Sequence, residues 1–280
     1  MAFKKTKPFA VAFGALIVIV GLSWLLFRFA SVVPEREKIL YYIGRDSTWY
    51  PLDLRGRERS MAGFANDLFQ AIALEEEFNV HIFEVGANAL FDGLRLGRYD
   101  GVLSHLSSNV VNQRIYHFSD PFYLIGPVLI VPEDSPVQSL GDMEGKTIGI
   151  EAGSRQVFKI PEPPNVAFVP YDSAATALDN LDKHDIDGVI LDALKAYAFT
   201  EGFYLGKLKV ATSPLTGKGL RLITRKDPKS LLLISRFNKG LEKLKSEGVY
   251  EQLIKKWDLT DTEVREEKRD STPKNESVNS

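Results

Sequence analysis

The chain has 280 residues, of which 44% are hydrophobic and 26% charged, and its formal net charge is −2. This is an ordinary globular composition, long enough for two lobes, and the charge gives no electrostatic reason to expect a nucleic-acid partner. The absence of cysteine excludes disulfides, thiolate zinc sites, cysteine nucleophiles and a lipid-modified N-terminal cysteine. The four histidines lack the i, i+4 spacing of metal ligands, so we expect no metal site.

The first 36 residues predict a membrane segment. Lys4, Lys5 and Lys7 precede an uncharged apolar run over 8–27, which is close to the ~20 residues that span a bilayer and longer than a typical signal-peptide core. The lysines predict a cytoplasmic N-terminus and export of everything after the run. Because the stretch "RFASVVP" is a poor cleavage site, we favour an uncleaved anchor that holds the rest of the chain at the outer face of the cytoplasmic membrane. A cleaved signal that leaves a soluble exported protein is the alternative.

Short apolar runs alternate with amphipathic stretches between residue 38 and about residue 259. The predicted strands are 38–44, 79–85, 99–106, 124–132, 146–151, 166–171, 186–192, 208–214 and 219–225. The predicted helices are 63–78, 89–97, one starting at 153, 173–184, 193–201 and a pair over 228–257 broken near Gly248. This rhythm is typical of a parallel α/β sheet. Residues 260–280 have almost no large apolar side chains and predict a disordered tail.

Five segments, in this order, match one set of family motifs: "GFANDLFQAIA", "LFDGLRLGRYDGVLSHLSSN" followed by "FSDPFY", "SLGDMEGKTIGIEAGS", "DIDGVILD" and "EGVYEQLIKKW". They resemble the bacterial solute-binding proteins of family 3, the periplasmic amino-acid receptors of ABC importers. Each segment alone is a weak match, and the family assignment rests on the order and spacing of all five. The resemblance runs from about residue 37 to residue 257.

The resemblance implies an α/β, two-lobe periplasmic-binding-protein-like fold of type II with two hinge strands. Lobe one would contain 37–121 and 219–259, and lobe two would contain 123–214. The 1–36 segment would precede them and the 260–280 tail would follow. Such a fold encloses a small ligand by hinge closure, with contacts from both lobes.

Asp192 is the main candidate contact from lobe two. It ends the strand "DGVILD", where the family places the carboxylate that holds a ligand's ammonium group, and a charge-assisted pair in a closed cleft is strong. A helix N-cap is the alternative role. In the turn "EAGSRQ", the backbone N–H groups and the Ser154 hydroxyl suit an anion, or they only cap a helix. Arg155 would supply an extra guanidinium or lie on the surface.

Asp46 and Trp49 are the candidates from the first strand of lobe one. The loop "RDSTWYP" follows the carboxyl end of that strand, where ligands of open α/β sheets bind. The resemblance gives Trp49 the role of an aromatic wall against the ligand side chain and Asp46 that of a polar contact. An aromatic residue beside a proline is also common in cores.

The loop "SHLSSNVVNQRIYHFSDP" raises a question about the ligand. In the family pattern an arginine stands six residues before the phenylalanine of "FSD" and binds the ligand carboxylate. Here that place is Asn112, which cannot supply the charge of a guanidinium. Ser104 begins the loop, His105 replaces a glycine, and Ser107 keeps its hydroxyl. Either a shifted loop lets Arg114 bind the carboxylate, or the ligand lacks a free α-carboxylate, or no small ligand binds.

Three functions remain open from the sequence. The first is a tethered, non-enzymatic binding protein that delivers an amino acid or similar polar solute to an ABC permease. The second is a sensor or divergent receptor on the same scaffold, with another inner-membrane protein as partner. The third is a cyclohexadienyl-dehydratase-like enzyme, in which Glu151 or His105 would act as acid or base. Nucleotide and hydrolase motifs are absent, so we expect no cofactor.

Overall fold

The structure is a computed structural model that describes residues 38–49, 52, 54, 56–153, 160 and 163–262. The predicted anchor, the tail from residue 263, and the candidate site residues Ser154 and Arg155 lie outside the described residues. The chain divides into two units, 1–39 and 40–280, and every element named below belongs to the second. Across the described ranges, each helix is too short or too polar to cross a bilayer.

Eleven strands and seven α-helices make up the described part of the chain. The strands are β1 (Leu40–Arg45), β2 (Asn79–Glu84), β3 (Gly101–Ser104), β4 (Tyr116–Phe118), β5 (Tyr123–Leu124), β6 (Pro127–Pro132), β7 (Thr147–Glu151), β8 (Ala167–Tyr171), β9 (Gly188–Asp192), β10 (Leu208–Val210) and β11 (Gly219–Arg225). The helices are α1 (Glu58–Glu75), α2 (Ala87–Arg95), α3 (Val110–Gln113), α4 (Ala174–Asp182), α5 (Ala193–Thr200), α6 (Pro228–Ser246) and α7 (Val249–Lys256). A 3-10 helix covers Leu140–Met143.

These strands form two sheets, one in each lobe, so the two-lobe α/β prediction is confirmed. The first sheet has the order β2-β1-β3-β11-β4, with β5 also paired to β11, and the second has the order β10-β6-β9-β7-β8. The prediction of parallel sheets was only partly right. Strands β1, β2 and β3 are parallel, as are β7, β8 and β9, but β11, β6 and β10 run antiparallel to their neighbours. Both sheets are therefore mixed.

The apolar stripe of α1 builds the main core of the first lobe. Its fully buried residues include Met61, Phe64, Leu68 and Ile72, which follow the three- and four-residue spacing of one helix face. Phe64 contacts Tyr250 of α7 edge to face at 5.6 Å between ring centroids. Burying each such side chain stabilises the fold by about 1.5–3 kcal/mol, so this face fixes α1 against α6, α7 and the sheet.

Two connecting segments, 125–126 and 211–218, join the lobes and form the hinge. The Ile125 N–H donates to the Lys218 carbonyl at 2.9 Å, and the Leu215 N–H donates to the Pro127 carbonyl at 2.7 Å. At Gly126, an added Cβ would lie 2.7 Å from the Thr216 carbonyl oxygen, so only glycine fits between the segments. The run 124–132 was predicted as one strand and is instead divided here, because Leu124 ends β5 in one sheet and Pro127 begins β6 in the other.

The C-terminal pair of helices confirms the predicted break near Gly248. Gly248 has a φ of 77° between α6 and α7, a left-handed conformation that glycine adopts without steric cost. Beyond α7, Trp257 lies across α1, and its indole N–H donates to Asp67 at 2.8 Å. The ring covers Gly63, where a Cβ would overlap its six-membered part.

Substituting Gly63 tests this close approach. We expect Gly63→Ala to lower the free energy of unfolding by about 1–3 kcal/mol, the usual cost of overpacking, although alanine favours a helix by up to about 1 kcal/mol. The measurement is urea unfolding of the full chain. Gly141→Ala is the matched control, since its Cβ would meet only Ser139 Oγ at an ordinary 3.6 Å. A Gly63→Ala protein as stable as the control would contradict the packing described here.

Candidate functional site

Two neighbouring parallel strands of the first sheet, β1 and β3, end at the same edge and carry the site residues of lobe one. Asp46 follows β1 and Ser104 ends β3, and their exposed fractions are only 6% and 7%. With Trp49 and His105 they line a cavity of about 70 Å³ whose apolar wall is provided by α2 and β3: Ala87, Leu90, Phe91 and Leu103. Ligands of open α/β sheets bind at such carboxyl-terminal edges.

Trp49 combines the two roles that the sequence left open. It belongs to the main core of the first lobe and is 2% exposed, yet it also lines the cavity. Its φ of 56° is uncommon for a bulky residue, and such conformations cluster at functional sites. The buried indole N–H finds no hydrogen-bond partner among the described residues. An unused buried donor at a cavity is suited to a polar ligand or to water.

Asp46 and His105 set the electrostatics of this cavity. The Thr48 backbone N–H and hydroxyl donate to the Asp46 carboxylate at 3.2 and 2.9 Å, which fixes its orientation. Burial lowers the pKa of His105, and the nearby positive charge of Lys218 lowers it further against the opposing effect of Asp46. His105 is therefore a neutral imidazole at neutral pH, and it contributes hydrogen-bonding capacity without charge.

The loop that carries Ser107, Asn112 and Arg114 is structured locally and lies outside this cavity. The Asn112 side-chain amide donates to the Ser107 carbonyl at 2.8 Å, and its backbone N–H donates to Asn109 Oδ1 at 2.9 Å. Arg114 is exposed just after the one-turn α3. Within the described ranges, its guanidinium has no hydrogen-bond or ion-pair partner.

Asp192 is the described site residue of lobe two. It ends β9 and precedes α5, but its side chain makes no capping hydrogen bond to that helix. Its carboxylate lies 3.6 Å from the ammonium of Lys218 in the hinge. The positive charge of Lys218 also lowers the pKa of His105, so it acts electrostatically on a residue of each lobe. Sequence reasoning missed Lys218, since "TGKG" has the composition of an ordinary surface turn.

Glu151, a candidate acid or base, is already paired. It ends β7, and the Lys195 ammonium of α5 donates to its carboxylate at 2.7 Å. Lys195 and Glu151 thus form a neutral pair within lobe two.

A larger cavity of about 350 Å³ has none of the predicted site residues in its lining. It lies between the start of α1, β5, helix α5 and the residues after α7, and its lining is mostly apolar apart from Arg57 and Glu201. The described candidate residues therefore include four that line the smaller cavity and, separately, Asp192 beside Lys218.

Comparison with known families and curated proteins gives consistent matches. The model for bacterial extracellular solute-binding proteins, family 3, matches residues 41–260. The chain is 28% identical to ABC transporter arginine-binding protein 1 of Escherichia coli (84% of this chain, 97% of the relative). It is 28% identical to the lysine/arginine/ornithine-binding periplasmic protein of the same species (87% and 95%). It is 25% identical to the histidine-binding periplasmic protein of Salmonella typhimurium (87% and 95%).

Solved structures match the fold as well. The L-cystine solute receptor of Neisseria gonorrhoeae, in its unliganded open conformation, has a TM-score of 0.58 and 21% identity, and covers 81% of this chain and 96% of its own. A polar amino acid ABC uptake transporter substrate-binding protein from Streptococcus thermophilus has a TM-score of 0.54 and 25% identity, with 78% and 85% coverage. These likenesses agree with the two-lobe architecture.

The lowered pKa of His105 predicts a pH dependence of stability. Below the ordinary histidine value near 6.5, the unfolded chain takes up a proton that the folded protein does not, so stability falls as the pH drops from neutral. We expect His105→Asn to lose less stability than the unmodified protein between about pH 8 and about pH 5.5. Urea unfolding at the two pH values measures this.

His184→Asn is the control for that comparison, because His184 is exposed and asparagine tolerates its φ of 61°. It should keep the pH dependence of the unmodified protein. Identical pH dependence in the His105→Asn variant would contradict the burial of a neutral imidazole.

Proposed function

Because the chain belongs to the bacterial extracellular solute-binding proteins of family 3, we propose that it captures a basic amino acid between its two lobes and delivers it to an ABC permease. The charged groups of the candidate site are the observation that carries this proposal. Asp46 of lobe one lines the small cavity, and Asp192 of lobe two lies 3.6 Å from the ammonium of Lys218.

These described groups complement a basic amino acid. The two carboxylates can accept from the α-ammonium and the cationic side chain of such a ligand, and the Lys218 ammonium can donate to its α-carboxylate. A closed cleft excludes water, so a ligand charge without a partner inside it is costly. The side chain of an acidic amino acid would bring a third carboxylate into the cleft, and a neutral side chain would offer no cation to the second one.

The residues that line the cavity support the same ligand class. Trp49 already lies beside one cation, since the Arg45 guanidinium is 5.7 Å from its ring centroid, and a cation near an aromatic ring is stabilised by about 0.5–2 kcal/mol. Asp46, held by Thr48 in the same cavity, provides the acceptor for a cationic side chain. The names of the relatives, which bind arginine, lysine, ornithine or histidine, point in the same direction.

A binding role fits the site better than catalysis. Glu151 is neutralised by Lys195, and the curated relatives described above are binding proteins. A sensor role is the second candidate, and one observation favours it: Asn112 replaces the arginine of the family motif, and its side chain is held within its own loop. Failure of every amino acid to bind would favour the sensor.

We expect L-arginine and L-lysine to raise the melting temperature of the full chain, and L-glutamate to have no effect. A ligand at a hundredfold excess over its Kd stabilises the folded state by about 2.7 kcal/mol. Calorimetric titration should show L-arginine binding about 10- to 100-fold more tightly than L-citrulline, which has nearly the same shape and a neutral side chain. Asp46→Asn should remove this preference, and Asp192→Asn should weaken both ligands.

Asp134→Asn, at an exposed turn of lobe two, is the matched control and should keep the affinity and the preference. Tighter binding of L-glutamate than of L-arginine would refute the proposed ligand class. An Asp46→Asn protein that still prefers arginine would remove Asp46 from the site.

Extracytoplasmic location follows from the family, and we propose that the 1–36 segment anchors the chain in the membrane. Its lysines and its uncharged apolar run support this. After expression in a bacterial host, we expect a protein of full-length mass in the membrane pellet. We expect this protein to stay in the pellet during alkaline carbonate extraction. A shortened protein in the periplasmic extract would instead mean that the segment is cleaved.

A further inference from the structure

The proposed function leaves the carboxylate of the ligand without an obvious cation. Asn112 stands at the place of the family's arginine, and its amide group is hydrogen-bonded to the Ser107 carbonyl. Arg114 is exposed and does not line the site cavity. An amino acid enclosed between the lobes needs a positive group near its carboxylate, because an unpaired buried anion is costly.

Other cations near the site are paired with neighbouring groups or lie outside the cavity lining. Lys195 is paired with Glu151 at 2.7 Å. Arg45 is 4% exposed and does not line the cavity; one of its guanidinium nitrogens donates to Glu84 at 3.1 Å, while its buried Nε and Nη1 have no hydrogen-bond partner among the described residues. Arg221 donates from one guanidinium nitrogen to the Ser119 carbonyl and from the other to the Gly217 carbonyl, both at 2.6 Å.

Lys218 differs from these cations in its position and in the longer distance to its ion-pair partner. It lies in the second hinge segment, and its backbone carbonyl accepts the Ile125 N–H from the first segment at 2.9 Å. The 3.6 Å between its ammonium and Asp192 is longer than a normal hydrogen bond. Its side chain is 27% exposed, so solvent or a ligand can reach it. Arg221, bonded to the neighbouring Gly217, holds the turn that carries it.

An ammonium group has three donors, so one lysine can contact two carboxylates at once. The ammonium of Lys218 lies 3.6 Å from Asp192, and a ligand whose α-ammonium binds Asp192 would bring its neighbouring carboxylate close to that ammonium. We propose that Lys218 binds the carboxylate of the amino-acid ligand and thereby replaces the arginine that is missing at position 112. This inference rests on the proposed function, and it names the contact that completes it.

The proposed contact implies that Lys218 has different partners before and after the ligand binds. While the cleft is empty, Lys218 partly neutralises Asp192, and the α-ammonium of an entering ligand takes over that role. Lys218 then turns its remaining donors to the carboxylate. The contact is a point charge rather than a two-pronged guanidinium fork, so it selects for charge more than for geometry.

The test compares L-arginine with L-argininamide, whose carboxylate is replaced by a neutral amide, by calorimetric titration of the full chain. In the unmodified protein we expect L-arginine to bind about 10- to 100-fold more tightly, the usual effect of a charge-assisted hydrogen bond. Lys218→Met should remove this preference by weakening L-arginine alone. Lys218→Arg should retain it, and equal melting temperatures would establish that the variants fold.

Arg114→Met and Arg155→Met are the matched controls, and both should keep the preference. Loss of the preference in either of them, with Lys218→Met unaffected, would overturn the inference while leaving the proposed function in place. Tighter L-arginine binding by Lys218→Met would also overturn it, since Lys218 would then only compete with the ligand for Asp192. If no basic amino acid binds the unmodified protein, the proposed function fails and this inference fails with it.

Discussion

The return of the chain from the second lobe to the first is the constraint on which the rest of the structure depends. Strand β11 enters the first sheet antiparallel between β3 and β4, so the first lobe is incomplete until the second has been traversed. The hydrogen bond from the Ile125 N–H to the Lys218 carbonyl joins the two hinge segments at the crossing point. Lys218, immediately before β11, is therefore positioned by the topology of both lobes as well as by the turn that Arg221 holds.

The fold was largely predictable from the sequence because its signals are local. The apolar stripe of α1 and the glycine between α6 and α7 are read directly from spacing and residue type. The direction of β11 could not be read in this way, since an apolar run looks the same whether its neighbours are parallel or antiparallel. The division of the run 124–132 between two sheets depends on the close approach of Gly126 to Thr216, which are far apart in sequence.

The candidate site was predictable only in part, for the same reason. Asp46, Trp49, Ser104 and His105 share one cavity, because neighbouring parallel strands bring their carboxyl ends together. Asn112 and Arg114 were named from a motif register, but a one-turn helix turns that loop onto itself. The pairing of Asp192 with Lys218 joins residues 26 positions apart in two different connections. Neither hydrophobic periodicity nor a short sequence motif predicts that contact.

The position of Trp49 gives the protein a built-in optical reporter. Of the three tryptophans in the sequence, Trp257 donates its indole N–H to Asp67 on α1, whereas Trp49 lies at the cavity with its buried N–H unpartnered among the described residues. The emission wavelength of an indole depends on the dipoles and hydrogen bonds around it. Occupancy of this cavity should therefore be visible in the intrinsic fluorescence of the unlabelled protein, with Trp49→Phe identifying the signal.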